Sequence, residues 1–81
     1  GWTALHYAVH EGYLEVVKLL IENFGSTIES RSSTNKTPFH LACIRGEEKL
    51  IRLMITKGAN GASVDRDGST PLHYLCETEN L

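Results

Sequence analysis

The amino-acid sequence predicts an all-α repeat solenoid, built of helix-turn-helix units that are joined by hairpin-type loops. Three similar segments carry this prediction: residues 3–8 (TALHYA), 37–42 (TPFHLA) and 70–75 (TPLHYL), whose threonines are 34 and then 33 residues apart. The first two are followed, in the same register, by a glycine, an apolar run and a second glycine. A fixed period of this length is typical of stacked repeat units.

The first helix of each unit is predicted to begin after the threonine that opens its own segment. In the second unit Thr37 precedes Pro38, so the hydroxyl can accept from an unpaired backbone N–H while proline fits the first helical turn. Ala4 takes the place of this proline in the first unit. Gly12 and Gly46 are expected to end these helices in a left-handed conformation.

The second helices are predicted at residues 14–23 and 48–57, with Gly25 and Gly58 as their stop signals. Their apolar residues lie on more than one side, as the run LEVVKLLI shows. A helix with so wide an apolar stripe must be covered from two directions, and neighbouring units of a stack provide this cover.

These features together resemble the ankyrin-repeat family, whose signature is a 33-residue period with the pattern T-P-L-H-x-A. The resemblance covers essentially the whole chain and implies stacked helix pairs from which β-hairpin fingers project. Asn35 stands where the family usually has glycine, and asparagine still tolerates the positive φ of that turn. Gly61 stands where a branched apolar residue is usual, as at Ile28, so this finger base is expected to be looser.

The repeat register divides the chain into one segment of three parts: unit 1 at residues 1–35, unit 2 at 36–68 and a partial unit 3 at 69–81. No polar capping unit is visible at either end, although solenoids normally need one for solubility. We therefore expect a piece of a longer array that can self-associate through its uncapped ends.

The charge and composition exclude several classes of partner. Eight Lys and Arg face ten Asp and Glu, a net charge of −2, which provides no broad basic field for nucleic acid. No apolar run is long enough to span a bilayer, so we expect no membrane contact from this segment. Two cysteines make no disulfide framework, which favours an intracellular location, cytoplasmic or nuclear.

Two His-x-x-Cys pairs are the strongest candidates for a metal site. They are His40 with Cys43 and His73 with Cys76, at equivalent positions of consecutive units. Stacked helices lie about 8–10 Å apart, whereas zinc holds its ligands at about 2.0–2.3 Å. The pairs are therefore interpreted as packing residues, and the resemblance implies that the histidine bonds backbone and threonine. We expect no metal, cofactor or catalytic residue.

Binding of another protein is the expected function, because a solenoid offers an extended concave face. The resemblance implies contacts at finger tips and at the exposed ends of the first helices. Those positions are Ser33, Thr34, Lys36, Arg66, Asp67 and Ser69 on the fingers, and His10, Glu11, Ile44, Arg45, Glu77 and Thr78 on the helices.

Within this set we expect an apolar anchor at Ile44, surrounded by a basic centre of Lys36, Arg45 and Arg66. The alternative is a regulatory or substrate-docking segment of a larger multidomain enzyme, such as a kinase, a ubiquitin ligase or a protein acyltransferase.

Overall fold

A computed structural model describes residues 2–79, apart from the side chains of Ser26, Thr27, Thr78 and Glu79. In chain order its helices are α1 (Ala4–Glu11), α2 (Leu14–Asn23), a short 3-10 helix (Gly25–Glu29), α3 (Pro38–Arg45), α4 (Glu48–Thr56) and α5 (Pro71–Glu79). Helix α1 packs on α2 and α3, and α3 packs on α4 and α5. Residues 2–79 contain no β-strand. The predicted all-α repeat solenoid is confirmed, with turns in place of hairpin strands.

The first helices begin as the sequence predicts. In α3 the Thr37 hydroxyl accepts from the backbone N–H of His40 at 3.3 Å, and the Thr37 N–H donates to His40 Nδ1 at 3.0 Å. Thr3 and His6 form the same reciprocal pair at the start of α1. Two of the N–H groups that a helix start leaves without a partner are satisfied in this way.

Left-handed residues stand at most of the predicted turns. Gly12 (φ 78°) and Gly46 (φ 73°) end α1 and α3, and Asn35 adopts φ 64°, as expected for the glycine position of a finger. Helix α2 ends at Asn23, as predicted. Gly25, however, has no positive φ and begins the 3-10 helix, because unit 1 has one more residue here than unit 2 and accommodates it in that extra turn.

The core runs from unit to unit, so burial depends on whether a neighbouring unit covers a position. Leu5 and Phe39 are 1% and 2% exposed, whereas the equivalent Leu72 is 52% exposed. Ile21 is 6% exposed and the equivalent Ile55 is 57% exposed. Each helix pair therefore derives much of its hydrophobic stabilisation from the unit that follows it.

The two cysteines differ in environment. Cys43 is fully buried, and burial raises the pKa of its thiol to about 11. Cys76 is exposed, so its interpretation as a packing residue is wrong. The physical reason is that no helix in the described part of the chain covers that side of α5.

Within the described residues, no three His, Cys, Asp or Glu side chains lie where together they could hold a metal ion. None of the helices found there has the length and hydrophobicity that a transmembrane span requires.

Candidate functional site

A row of exposed side chains runs along the ends of the first helices. His10, Ile44 and Glu77 occupy equivalent positions of α1, α3 and α5, and all three are exposed. The Ile44 side chain is 42% exposed although it is apolar. Positions of the first helices such as Leu5 become buried when another unit follows, whereas this row faces solvent in every unit.

The aromatic side chain of Trp2 extends this row within unit 1, where it contacts Tyr7 and His10. The Trp2 ring lies 4.9 Å from the Tyr7 ring, edge to face, and 5.0 Å from the His10 ring. Both Trp2 and Tyr7 keep exposed surface, 36% and 59% respectively. The sequence analysis did not predict Trp2 as a site residue. The feature that could have indicated it is its position directly before the threonine that caps α1.

Arg45 is held by its own chain. Its guanidinium donates from Nη1 to the His10 carbonyl at 3.0 Å and from Nε to Glu47 at 2.9 Å. The guanidinium lies so close to Gly12 that a Cβ at that position would displace it. Arg45 therefore satisfies a carbonyl at the C-terminal end of α1, where a cation is also favourable to the helix dipole.

Lys36 belongs to a buried cluster around Asp65, whose side chain has no exposed surface. The Lys36 ammonium lies 3.2 Å from Asp65 Oδ2, and the Tyr74 hydroxyl donates to the same oxygen. Asp65 Oδ1 accepts from the backbone N–H groups of Asp67 and Ser69, at 2.9 and 3.0 Å. The second finger is therefore fixed by one carboxylate that accepts four donors.

The Asp65 carboxyl and the Lys36 amine of this cluster are both ionised at neutral pH. Burial by itself would raise the pKa of the Asp65 carboxyl, but hydrogen bonds from Tyr74, the Ser69 N–H and Lys36 outweigh it and hold that pKa well below its usual range. Burial also opposes the charge of Lys36, yet the Asp65 carboxylate raises the pKa of the ammonium on balance. The hydrogen bond to Asp65 is the main reason why the pKa of Tyr74 is raised.

The two finger tips are joined by backbone contacts. The Arg66 N–H donates to the Thr34 carbonyl at 3.0 Å. Arg31, which the sequence analysis missed, donates from Nη1 to the carbonyls of Val64 at 2.9 Å and Asn35 at 3.1 Å. These contacts hold the fingers side by side and leave the tip residues exposed. The exposed tip residues are Ser33, Thr34, Arg66 and Asp67.

The predicted site residues therefore fall into two groups. Lys36, Arg45 and Ser69 take part in contacts that hold the fold together, and Lys36 and Ser69 are only half-exposed. Arg66 differs from the other two predicted cations, because no carboxylate in the described part of the chain pairs with it. Glu11, like the row and the tips, is exposed, whereas the Thr78 side chain lies outside the described residues.

The histidines of the first helices bond backbone and threonine, as the resemblance implies, and the backbone partner of each belongs to the next unit. The Nε2–H of His6 donates to the Lys36 carbonyl at 2.9 Å, and that of His40 donates to the Ser69 carbonyl at 3.0 Å. Each Nδ1 accepts from a threonine N–H, so the neutral tautomer that carries the proton on Nε2 satisfies both bonds. Burial lowers the pKa of both rings, against the opposing effect of these carbonyls.

Because of these two histidines, we expect the stability of the fold to decrease in acid. A ring whose pKa is lowered in the folded state binds fewer protons there than in the unfolded chain, so it stabilises the fold above about pH 6.5, the unfolded pKa. That stability is lost as the pH falls through the lowered values. We expect the free energy of urea unfolding to fall steadily between pH 7 and pH 5. A free energy that rises over this interval would contradict the assignment of His6 and His40.

Comparison with known proteins agrees with this architecture. The profile of the family described as "Ankyrin repeat" matches residues 1–33, and that described as "Ankyrin repeats (3 copies)" matches residues 24–81. Protein phosphatase 1 regulatory subunit 27 of Mus musculus is 42% identical over 71 residues, which cover 88% of this chain and 46% of that protein.

Two other relatives are much longer than the matched segment. B-cell lymphoma 3 protein of Homo sapiens is 38% identical over 80 residues, covering 95% of this chain and 18% of that protein. Tyrosine-protein kinase HTK16 of Hydra vulgaris is 28% identical over 76 residues, covering 91% of this chain and 10% of that protein. The chain thus spans less than half of each of these three relatives. The two family profiles together with the repeat-to-repeat hydrogen bonds show that the chain belongs to the ankyrin-repeat family.

Proposed function

We propose that this segment is a protein–protein interaction module that binds a partner protein through its finger tips and the exposed ends of its first helices. The observation that carries the proposal is the row of His10, Ile44 and Glu77, which faces solvent in all three units. A surface that no neighbouring repeat covers is available to another molecule along the whole length of the stack.

Ile44 and Arg66 are proposed as the principal contacts. Ile44 is the apolar member of the row, and an apolar anchor supplies more affinity than an exposed ion pair, which contributes about 0–1 kcal/mol. Among the three basic residues predicted for the site, Arg66 is the one with which no carboxylate of the described residues forms an ion pair. It can therefore orient an acidic partner segment and speed association. In this proposal Lys36 and Arg45 position the finger and α1 and contact the partner only with their exposed edges.

Protein phosphatase 1 is the first partner to test, because a relative carries its name as a regulatory subunit. Binding of its catalytic subunit to the immobilised chain is measured by surface plasmon resonance, with Ile44→Ala and Arg66→Glu as test variants. Ile44→Ala is expected to weaken binding about tenfold through a faster off-rate, about 1.4 kcal/mol. Arg66→Glu is expected mainly to slow association and to reduce its salt dependence.

Lys18→Glu and Lys49→Glu are the matched controls, since both side chains are exposed and belong to the second helices α2 and α4, not to the first helices that carry the row. If the phosphatase does not bind, a random peptide library supplies the ligand for the same four variants. Loss of binding in the two controls, with Ile44→Ala and Arg66→Glu unaffected, would place the partner on the other side and refute the proposed surface.

A second candidate function is regulation or substrate docking within a larger enzyme. The specific observation in its favour is that a similar segment occurs inside a tyrosine-protein kinase, of which it covers 10%. Ankyrin repeats themselves are non-catalytic, so any activity would belong to another part of such a chain.

Self-association and an intracellular location complete the proposal. Tyr7 (59%) and Val16 (44%) are exposed on the side of unit 1, whereas the equivalent Leu41 (8%) and Leu50 (0%) of unit 2 are buried. Exposed apolar surface of this kind favours association of copies at high concentration. Two free thiols agree with a reducing compartment.

A further inference from the structure

Two positions of the chain combine an arginine with a hydroxyl group three residues later. They are Arg31 before Thr34 on the first finger and Arg66 before Ser69 on the second. Many basophilic serine/threonine protein kinases select their substrates by an arginine at this distance. Both positions match this pattern in the sequence, but the exposure and the contacts of the two hydroxyl residues differ in the structure.

We propose that Thr34 is a phosphorylation site for a basophilic protein kinase and that Ser69 is not. In the reaction Thr34 Oγ1 attacks the γ-phosphorus of Mg-ATP, the bond from that phosphorus to ADP breaks, and the hydroxyl proton passes to the kinase base. The products are phosphothreonine and ADP, so atoms and charge balance with ATP as the phosphoryl donor.

Thr34 is accessible at the tip of its finger. Its side chain is exposed, and its hydroxyl forms a hydrogen bond with the hydroxyl of Ser32 at 3.1 Å, whereas Ser32 itself is 8% exposed. The turn around it is closed by the bond from the Asn35 N–H to the Ser32 carbonyl at 2.9 Å, and the Arg66 N–H holds it from outside. To lie extended in a kinase cleft, the tip must release these two bonds, the bond from the Ser32 N–H to the Lys36 carbonyl at 2.9 Å and the exposed bonds of Arg31 to Val64 and Asn35.

Ser69 has the opposite environment. It is half-buried, its N–H donates to Asp65 Oδ1 at 3.0 Å, and its carbonyl accepts from His40 Nε2 at 3.0 Å. Breaking these bonds to extend the segment would remove partners from Asp65 and His40, which are both buried, and buried groups without a partner are costly. A phosphoryl dianion at this position would also stand beside the buried Asp65 carboxylate, and such a like-charge contact is disruptive.

A phosphate on Thr34 would lie near Arg66. The Arg66 N–H already lies 3.0 Å from the Thr34 carbonyl, which places this exposed arginine beside the first finger tip. Phosphate and guanidinium form strong charge-assisted hydrogen bonds. Phosphorylation would therefore tie the two fingers together and occupy Arg66. That it would also weaken an acidic partner rests on the proposed function, whereas the modification itself does not.

The first test uses Mg-ATP and kinases selected on peptide arrays for an arginine three residues before the target. Tandem mass spectrometry of the folded chain is expected to find phosphate on Thr34. The phosphate should disappear in Thr34→Val and persist in the matched control Ser69→Ala. Phosphate on Ser69 instead of Thr34, or no phosphate on Thr34 with any of these kinases, would overturn the proposal.

The second test measures the urea midpoint of the phosphorylated chain, and it needs no partner protein. We expect phosphorylation to raise the midpoint at low salt and expect Arg66→Gln or high salt to remove the rise. A midpoint that phosphorylation leaves unchanged or lowers would overturn the link between the two fingers. Because neither test involves a binding partner, failure of the proposed partner surface would leave both results interpretable.

Discussion

Replacing Asp65 with alanine is expected to destabilise the fold by about 3 kcal/mol or more, the cost of removing one partner from a buried ion pair. The Asp65 side chain has no exposed surface and accepts from Lys36, Tyr74 and two backbone N–H groups. In Asp65→Ala these donors lose their acceptor together, and buried donors without an acceptor are costly. Urea unfolding monitored by circular dichroism measures the change.

Asp67→Ala is the matched control, since Asp67 lies on the same finger but has an exposed side chain. Its effect is expected to stay within about 0.5 kcal/mol, as for other surface substitutions. Asp65→Asn keeps one oxygen acceptor and should fall between the two. Equal effects of Asp65→Ala and Asp67→Ala would show that the cluster does not hold the finger.

The same carboxyl adds an acid-dependent contribution. Because its pKa is lowered in the folded state, Asp65 stabilises the fold above its unfolded pKa of about 3.9, and this contribution is lost as the pH falls below that value. The Asp65→Asn variant is therefore expected to lose less stability than the parent chain between pH 5 and pH 3.

Truncating one isoleucine of the stack is expected to have a large effect, and truncating its equivalent almost none. Ile21 and Ile55 occupy the same position of α2 and α4, but Ile21 is 6% exposed and Ile55 is 57% exposed. Ile21→Ala removes buried methyl groups and leaves a cavity, at a cost of about 2–5 kcal/mol. Ile55→Ala should change the free energy of unfolding by about 0.5 kcal/mol or less.

The pair isolates the contribution of burial, because residue type, repeat position and substitution are the same in both. Helix propensity changes equally in the two variants, since both replace isoleucine with alanine inside a helix. Equal losses of stability would mean that Ile21 is not packed against the rest of the fold as its 6% exposure indicates.

Much of the local structure followed from the sequence, because its causes lie within a few residues. Thr37 and Pro38 specify a helix start by their own chemistry, and Gly12 and Asn35 mark turns that need positive φ. The exception is Gly25. There the extra residue of unit 1 is accommodated in a 3-10 helix, which the presence of a glycine does not by itself predict.

The polar contacts between units were much less predictable. Lys36 and Asp65 are 29 residues apart, and Arg45 reaches a carbonyl 35 residues earlier in the chain. Periodicity aligns equivalent positions, but it does not determine which way a long flexible side chain turns. Candidate residues chosen by repeat position therefore included side chains such as Lys36 and Arg45, which the fold itself uses.

The histidine bonds between units also determine where the chain tolerates a change of length. His6 reaches a carbonyl 30 residues later and His40 one 29 residues later, yet both bonds have nearly the same length, 2.9 and 3.0 Å. The additional residue of unit 1 is absorbed upstream of the finger, near the 3-10 helix Gly25–Glu29. Insertions and deletions in this tract should therefore leave the next finger and its neighbouring helix in place, which makes each unit exchangeable with a repeat of slightly different length.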